Sequence, residues 1–179
     1  MSSIVISGDT SGAITIAAPA VAGTNTLTLP TTTSTLAIDG PAFSASVNAT
    51  QNFSSATWTK ITSLGTVTFN AGSCFASNRF TPNMAGYYQF NVSMVPNYTG
   101  TGGVIPVGLG VYKNGSAAYY PALIFASSFG SSQTFGSCII YCNGTTDYID
   151  FYVLSAGTSP NLTANTEQNF VQGFLVRSA

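Results

Sequence analysis

Between residues 86 and 94 the sequence reads GYYQFNVSM, in which Tyr88, Phe90, Val92 and Met94 alternate with Tyr87, Gln89, Asn91 and Ser93. A period of two is the period of a β-strand, where successive side chains leave on opposite faces, so this run makes a strand with one buried side. Pro82 and Gly86 bracket the turn that leads into it, proline because it presets φ and glycine because it admits conformations closed to other residues. Tyr88, Phe90, Val92 and Met94 are therefore assigned to a core, and a one-residue slip of register would send all four into water.

The same reading extends over the rest of the chain. Short strands are expected near 42–47, 58–62, 66–69, 86–95, 105–113, 117–125, 134–142, 148–154 and 170–176, with Gly, Asn, Ser and Pro filling the spaces between them. Asn114 and Gly115 predict a two-residue hairpin, because a type I′ turn needs positive φ at both positions. In the strand at 148–154, Ile149, Phe151 and Val153 form the core side, so Tyr148, Asp150 and Tyr152 point the other way; Phe174 in the last strand is assigned to the core. No segment carries a helical period. Many short strands with frequent turn signals and no intervening helices indicate an all-β sandwich.

Residues 1–40 differ in kind. They hold no aromatic residue and alternate in three short stretches, Ile4 with Ile6, Ile14 with Ile16 and Leu27 with Leu29. Three strands this short have too little apolar area to form a core, so they are expected to need a partner surface. Gly40 and Pro41 mark the expected boundary between this extended β arm (1–40) and a globular domain (41–179).

Charge limits what the protein can bind. Charged residues make up 5% of the 179 residues, against a typical ~25%. With a formal net charge of −1 and no basic cluster, there is nothing to neutralise a row of phosphates or to hold an anionic membrane surface, and neither nucleic acid nor membrane is expected as a partner. The N-terminal MSSIVISGDTSG has neither the basic start nor the apolar run of a secretory signal, which points to assembly in a cytoplasm.

Catalysis is not expected either. The chain has no histidine to serve as base beside a nucleophile. Its three cysteines, Cys74, Cys138 and Cys142, are read as free thiols with no metal role, and no cofactor is expected. The acidic residues Asp147, Asp150 and Glu167 are the candidates for paired carboxylates. Asp150 between Tyr148 and Tyr152 is read as a polar contact within a subunit interface or as a ligand site. Tyr119, Tyr120, Pro121 and Phe125 are read as core or interface packing, or as a platform on which a sugar could stack.

Three separated stretches resemble one family. FTPNMAGYYQF at 80–90, LGVYKNGS at 109–116 and NFVQGFLV at 169–176 are similar to the motifs of the globular head of complement component C1q, in the jelly-roll superfamily that includes tumour necrosis factor. The resemblance covers residues 41–179 and implies a jelly-roll β-sandwich that associates as a homotrimer. The family's Gly-Asp before its penultimate strand is matched only loosely, by Asn143, Gly144 and then Asp147. Tyr148, Asp150 and Tyr152 are the residues assigned to the trimer interface. A second resemblance lies in the arm: SGAITIAAPAVAGTNTLTLP at 11–30 is similar to a module of tailed-bacteriophage virion proteins.

Together these resemblances imply a virion structural protein without enzymatic activity. The expected role is a trimeric capsid cement or decoration protein, with Ile4, Ile6, Ile14, Ile16, Leu27 and Leu29 of the arm contacting the major capsid protein or another virion protein. The alternative is the receptor-binding tip of a tail or head fibre, presenting its loops to a host glycan or protein. The arm passes directly into the domain without a repetitive shaft, which favours cement.

Overall fold

The computed structural model describes residues 3–7, 11–17, 40–99, 103–126 and 129–179, and these residues contain no helix. The chain divides into two units, Met1–Leu36 and Ala37–Ala179.

In the first unit β1 (Ser3–Ser7) pairs antiparallel with β2 (Ala13–Ala17), placing Ile4 opposite Ile16 and Ile6 opposite Ile14. Ile4, Val5, Ile6 and Ile16 are all more than half exposed. The ribbon therefore buries neither face, and a lone two-stranded ribbon is marginal in water. The third arm strand expected around Leu27 and Leu29 lies outside the described residues.

The second unit begins with β3 (Ala42–Ser46), β4 (Gln51–Asn52), β5 (Thr59–Lys60), β6 (Thr66–Ala71), β7 (Phe75–Ala76) and β8 (Arg79–Phe80). The run singled out in the sequence is β9 (Gly86–Met94), followed by β10 (Asn97–Thr99), β11 (Ile105–Lys113) and β12 (Ser116–Ala126). The chain closes with β13 (Phe129–Ser131), β14 (Thr134–Cys142), β15 (Ile149–Ser155), β16 (Thr158–Leu162) and β17 (Phe170–Ser178). A five-stranded sheet runs β14-β9-β17-β3-β6, and a six-stranded sheet runs β12-β11-β15-β8-β7 with β5 also paired to β15. A smaller sheet runs β13-β10-β16-β4. Every pairing is antiparallel, and most neighbours are distant in sequence, as in a sandwich whose strands cross repeatedly between layers.

The nine strands expected in this unit are all present. The six not foreseen, β4, β7, β8, β10, β13 and β16, are two to five residues long, too short for a period of two to stand out. At the foreseen hairpin Asn114 and Gly115 have φ of 53° and 81°. Asn114 also ties this turn to the segment leading into β15, donating to Asp147 Oδ1 at 2.7 Å and accepting from the Tyr148 N–H at 2.9 Å.

The core lies between the two large sheets. Tyr88, Phe90 and Met94 are fully buried and Val92 nearly so, and Phe151 is fully buried on the facing strand. Tyr88 is tolerated there because its hydroxyl donates to the Met84 carbonyl at 2.7 Å. Phe174 departs from its core assignment and is 41% exposed. On β17 the inward positions are Val171, Gly173 and Leu175, because a Cβ at residue 173 would stand 2.6 Å from the Phe43 ring and 2.8 Å from the Phe90 ring. The large core rings from neighbouring strands already fill the volume at that position. Glycine there keeps the inward side open, and the aromatic next to it faces out.

The loosely matched loop after β14 is also settled. Gly144 has φ of +74°, and a Cβ on it would collide with the backbone of Met84 and Ala85, so the loop lies against the turn that precedes β9. The Asn143 side chain accepts from the N–H groups of Thr145, Thr146 and Asp147, each at 3.0 Å.

Three substitutions test this arrangement by denaturant unfolding. Phe90→Ala should lower stability by about 3–5 kcal/mol through lost burial and a residual cavity, while Gln89→Ala should change it by less than about 0.5 kcal/mol. Gly173→Ala should cost about 1–3 kcal/mol by overpacking against Phe43 and Phe90. Equal effects at 89 and 90 would show that the strand register is wrong.

Candidate assembly interface

The outward side of the five-stranded sheet is formed by the residues that alternate with the core positions, and cross-strand pairing sorts them into rows. Phe135, Ser93, Phe170 and Ser46 face one another across β14, β9, β17 and β3. The next row is Ser137, Asn91, Gln172 and Ser44, and the one after it is Ile139, Gln89, Phe174 and Ala42. Tyr141 sits opposite Tyr87 with ring centroids 5.4 Å apart. A polar ladder thus crosses the middle of the sheet with large apolar side chains above and below it.

Much of this face is open. Phe135 is 75% exposed and Ile139 50%, and Phe69, Tyr87, Tyr141, Phe174 and Val176 are each at least 40% exposed. Arg177 is the one charged residue on the five strands. Between Phe135 and Phe170 lies a hollow of about 310 Å³ lined also by Asn91, Ser93 and Ser137. Exposed apolar side chains on both sides of the polar ladder make this face the candidate contact surface.

Of the residues assigned to an interface from sequence, Asp150 and Tyr152 lie on β15 of the other sheet and Tyr148 just before it, and all three are engaged within their own chain. Asp150 is 2% exposed. Its carboxylate accepts from Arg79 Nε at 2.9 Å and Nη2 at 2.7 Å, and Lys60 Nζ lies 2.7 Å away. The Arg79 guanidinium sits 3.7 Å from the centre of the Tyr148 ring, and Tyr152 stacks on Tyr112 at 3.8 Å. A second ion pair joins Lys113 to Asp147 at 2.8 Å.

Burial by itself would push both aspartates up, but the hydrogen bonds and charges of Arg79 and Lys60 outweigh it at Asp150 and hold that carboxyl below its usual value. At Asp147 burial is outweighed in the same way by Lys113, Asn114 and the Asn143 N–H. Both groups therefore stabilise the fold when ionised.

Of the arm residues, Ile4, Ile6 and Ile16 are exposed on their ribbon, whereas Leu27, Leu29 and the side chain of Ile14 lie outside the described residues. Tyr119, Tyr120 and Phe125 are at least half exposed, which removes core packing from their two readings. The three cysteines are free thiols. Burial pushes Cys138 up to about 12 and Cys74 and Cys142 to about 11, so all three are protonated and poorly nucleophilic near neutral pH. Among the described residues no group of His, Cys, Asp and Glu has the arrangement of a metal site.

The outward apolar rows were hidden in the sequence because β14 is apolar on both sides. Phe135, Ile139 and Tyr141 alternate with Cys138, Ile140 and Cys142, and a period of two cannot tell which set faces the core.

The aspartates set the direction of the pH response. Their folded pKa values lie below the unfolded ones, so the stabilisation is present above the ordinary carboxylate pKa of about 4 and is lost as pH falls through the lower folded values. The thermal midpoint should be level from neutral pH to about pH 5 and then fall with acid. Asp150→Asn should flatten that fall and lower stability near pH 7 by up to about 3 kcal/mol, with the partial exposure of Arg79 and Lys60 reducing the loss. An acid limb of unchanged steepness in the variant would show that Asp150 is not responsible.

No protein-family model matches this chain. No curated protein matches it either. Among solved structures, it is similar to the globular domain of zebrafish complement 1qA, with 17% identity, a TM-score of 0.54 and coverage of 78% of this chain and 99% of that one. It is similar to murine APRIL, with 7% identity, a TM-score of 0.56 and coverage of 76% and 99%. It is likewise similar to the Eiger TNF of S. frugiperda, with 11% identity, a TM-score of 0.53 and coverage of 79% and 96%. At these identities the likeness is one of fold, and it establishes the globular unit as a jelly-roll β-sandwich of the complement C1q and tumour necrosis factor type.

Proposed function

We propose that this chain is a structural protein of a tailed-phage virion: a homotrimeric cement or decoration protein whose globular units associate through the outward face of the five-stranded sheet. The observation that carries the reading is that face itself. It is apolar along two sides of a short polar ladder and bears a single charge on five strands, so covering it with further copies removes apolar area from water without burying unpaired charge. The motif resemblance to the C1q head supplies the number three. In this reading the subunit contact lies on the five-stranded sheet rather than at Tyr148, Asp150 and Tyr152.

The arm is the attachment device in this reading. Its exposed Ile4, Ile6 and Ile16 are suited to a capsid surface that adds strands to the ribbon or accepts its side chains in grooves. Three arms on one trimer bind with an avidity none has alone, because each attached arm raises the effective concentration of the next. The protein acts by adhesion and has no enzymatic activity, cofactor or nucleic-acid partner. Hundreds of copies per particle would accord with cement, and a few trimers with a fibre tip.

Light scattering should give about three times the 18.4 kDa chain mass. Ile139→Lys should dissociate the assembly, because every copy then brings a charge into an apolar contact, whereas Tyr152→Lys should leave it intact. The reverse result would return the interface to β15, and a stable wild-type monomer would end the trimer reading. A chain starting at Pro41 should remain a folded trimer yet fail to coat particles lacking the full-length protein. Coating by that shortened chain would place attachment in the jelly roll. Binding of the full-length trimer to host cells but not to bare capsids would put the fibre-tip reading in its place.

A further inference from the structure

The outward side of the six-stranded sheet carries a rank of aromatic rings that neither the core nor the proposed assembly face uses. Trp58, the sole tryptophan of the chain, sets the edge of its indole on β11 where residues 108 and 110 are glycine. A Cβ at residue 108 would stand 2.8 Å from Trp58 Cη2, and one at 110 would stand 3.3 Å from Cζ3. Glycine weakens a strand interior, and two of them beneath one ring mark a place made for that ring. The Tyr120 ring follows at 4.8 Å, Tyr112 stands edge-on to Tyr120 at 6.4 Å, and Tyr152 stacks on Tyr112 at 3.8 Å. Four rings thus run in unbroken contact across β12, β11 and β15, with Tyr120 52% exposed and the other three partly so.

The chemistry of the rank is narrow. The neighbouring cations, Lys60 and Arg79, are both committed to Asp150, which leaves no free charge for an anionic polymer. Three of the rings end in phenol hydroxyls. Burial and then the hydrogen bond with Tyr120 push Tyr112 up to about 12, so that phenol is neutral at physiological pH. A purely apolar partner would bury the three phenol hydroxyls with only the bond between Tyr112 and Tyr120 to offset their lost hydration, at a cost in free energy. A ligand with both apolar C–H faces and many hydroxyls suits the rank.

We propose that this rank is a binding site for a neutral oligosaccharide, whose sugar C–H groups pack on the Trp58 and Tyr120 rings and whose hydroxyls bond with the phenols of Tyr112 and Tyr152. The site is on the sheet opposite the proposed assembly face. It does not depend on that assembly: a monomer could bind sugar, and a trimer could fail to.

The test titrates the full-length protein with cellohexaose, maltohexaose, chitohexaose and mannohexaose, reading Trp58 emission and the heat of binding, with dextran sulfate as the anionic comparison. At least one neutral hexasaccharide should give a saturable emission change whose midpoint is the same at low and high salt. Tyr120→Ala, at an exposed position, should weaken that binding by about tenfold, while Tyr119→Ala, opposite Val111 on β11 and outside the ring contacts of the rank, should leave it unchanged. Thermal midpoints of both variants identify any loss that comes from unfolding. The proposal is overturned if no neutral probe saturates, if dextran sulfate alone gives a salt-sensitive response, or if folded Tyr120→Ala binds as the wild type does.

Discussion

The structure depends on a set of phenylalanine rings that lock two sheets together. Phe43 from the five-stranded sheet stacks on Phe75 at 4.4 Å and meets Phe80 at 5.3 Å, while Phe90 meets Phe80 at 5.2 Å and Phe151 at 5.8 Å. Phe75, Phe80 and Phe151 come from the six-stranded sheet, so each contact crosses the sandwich. These rings are buried, two of the pairs stacked and two edge-to-face. Gly173 exists for the sake of this cluster, and the outward placement of Phe174 follows from it. The outer surface of the five-stranded sheet is in this sense set from the inside.

A chain with so few charges uses most of its cations as structural pins. Lys60 and Arg79 converge on Asp150 and Lys113 on Asp147, and Asp147 and Asp150 flank the start of β15. These pairs join β5, β8, the β11 hairpin and β15 at one end of the six-stranded sheet. Asn114 and Asn143 serve the same region with neutral side chains, through caps that hold the turn and the loop beside them. The result is a sheet whose polar end is closed off within the chain, and another whose outward face is left apolar.

The two outward faces consequently have different chemistry. On the five-stranded sheet large aliphatic and aromatic side chains flank a ladder of Ser, Asn and Gln, a surface that gains by being covered with more of itself. On the six-stranded sheet the rings are tyrosine and tryptophan, amphipathic groups that keep a polar atom at the surface. The chemistry of one face suits assembly, and that of the other suits a hydroxyl-rich ligand.

Local alternation in the sequence determined the strands. The period of two in 86–94 fixed which residues of β9 are buried, and the Asn-Gly pair fixed a hairpin, because both signals are carried by the backbone geometry of a few consecutive residues. The C1q-like motifs pointed to the jelly roll for a similar reason, since they record those alternations and turns. Only the tertiary structure decided which side of β14 and β17 faces inward, since both sides are apolar; on β17 the choice is made by the Phe43 and Phe90 rings against Gly173. It alone brought Asp150 to Lys60 and Arg79, residues 90 and 71 positions away in the chain, and set Trp58 on Gly108 and Gly110. Those contacts come from strand order between distant segments, and no local pattern of side chains encodes the order in which strands lie side by side.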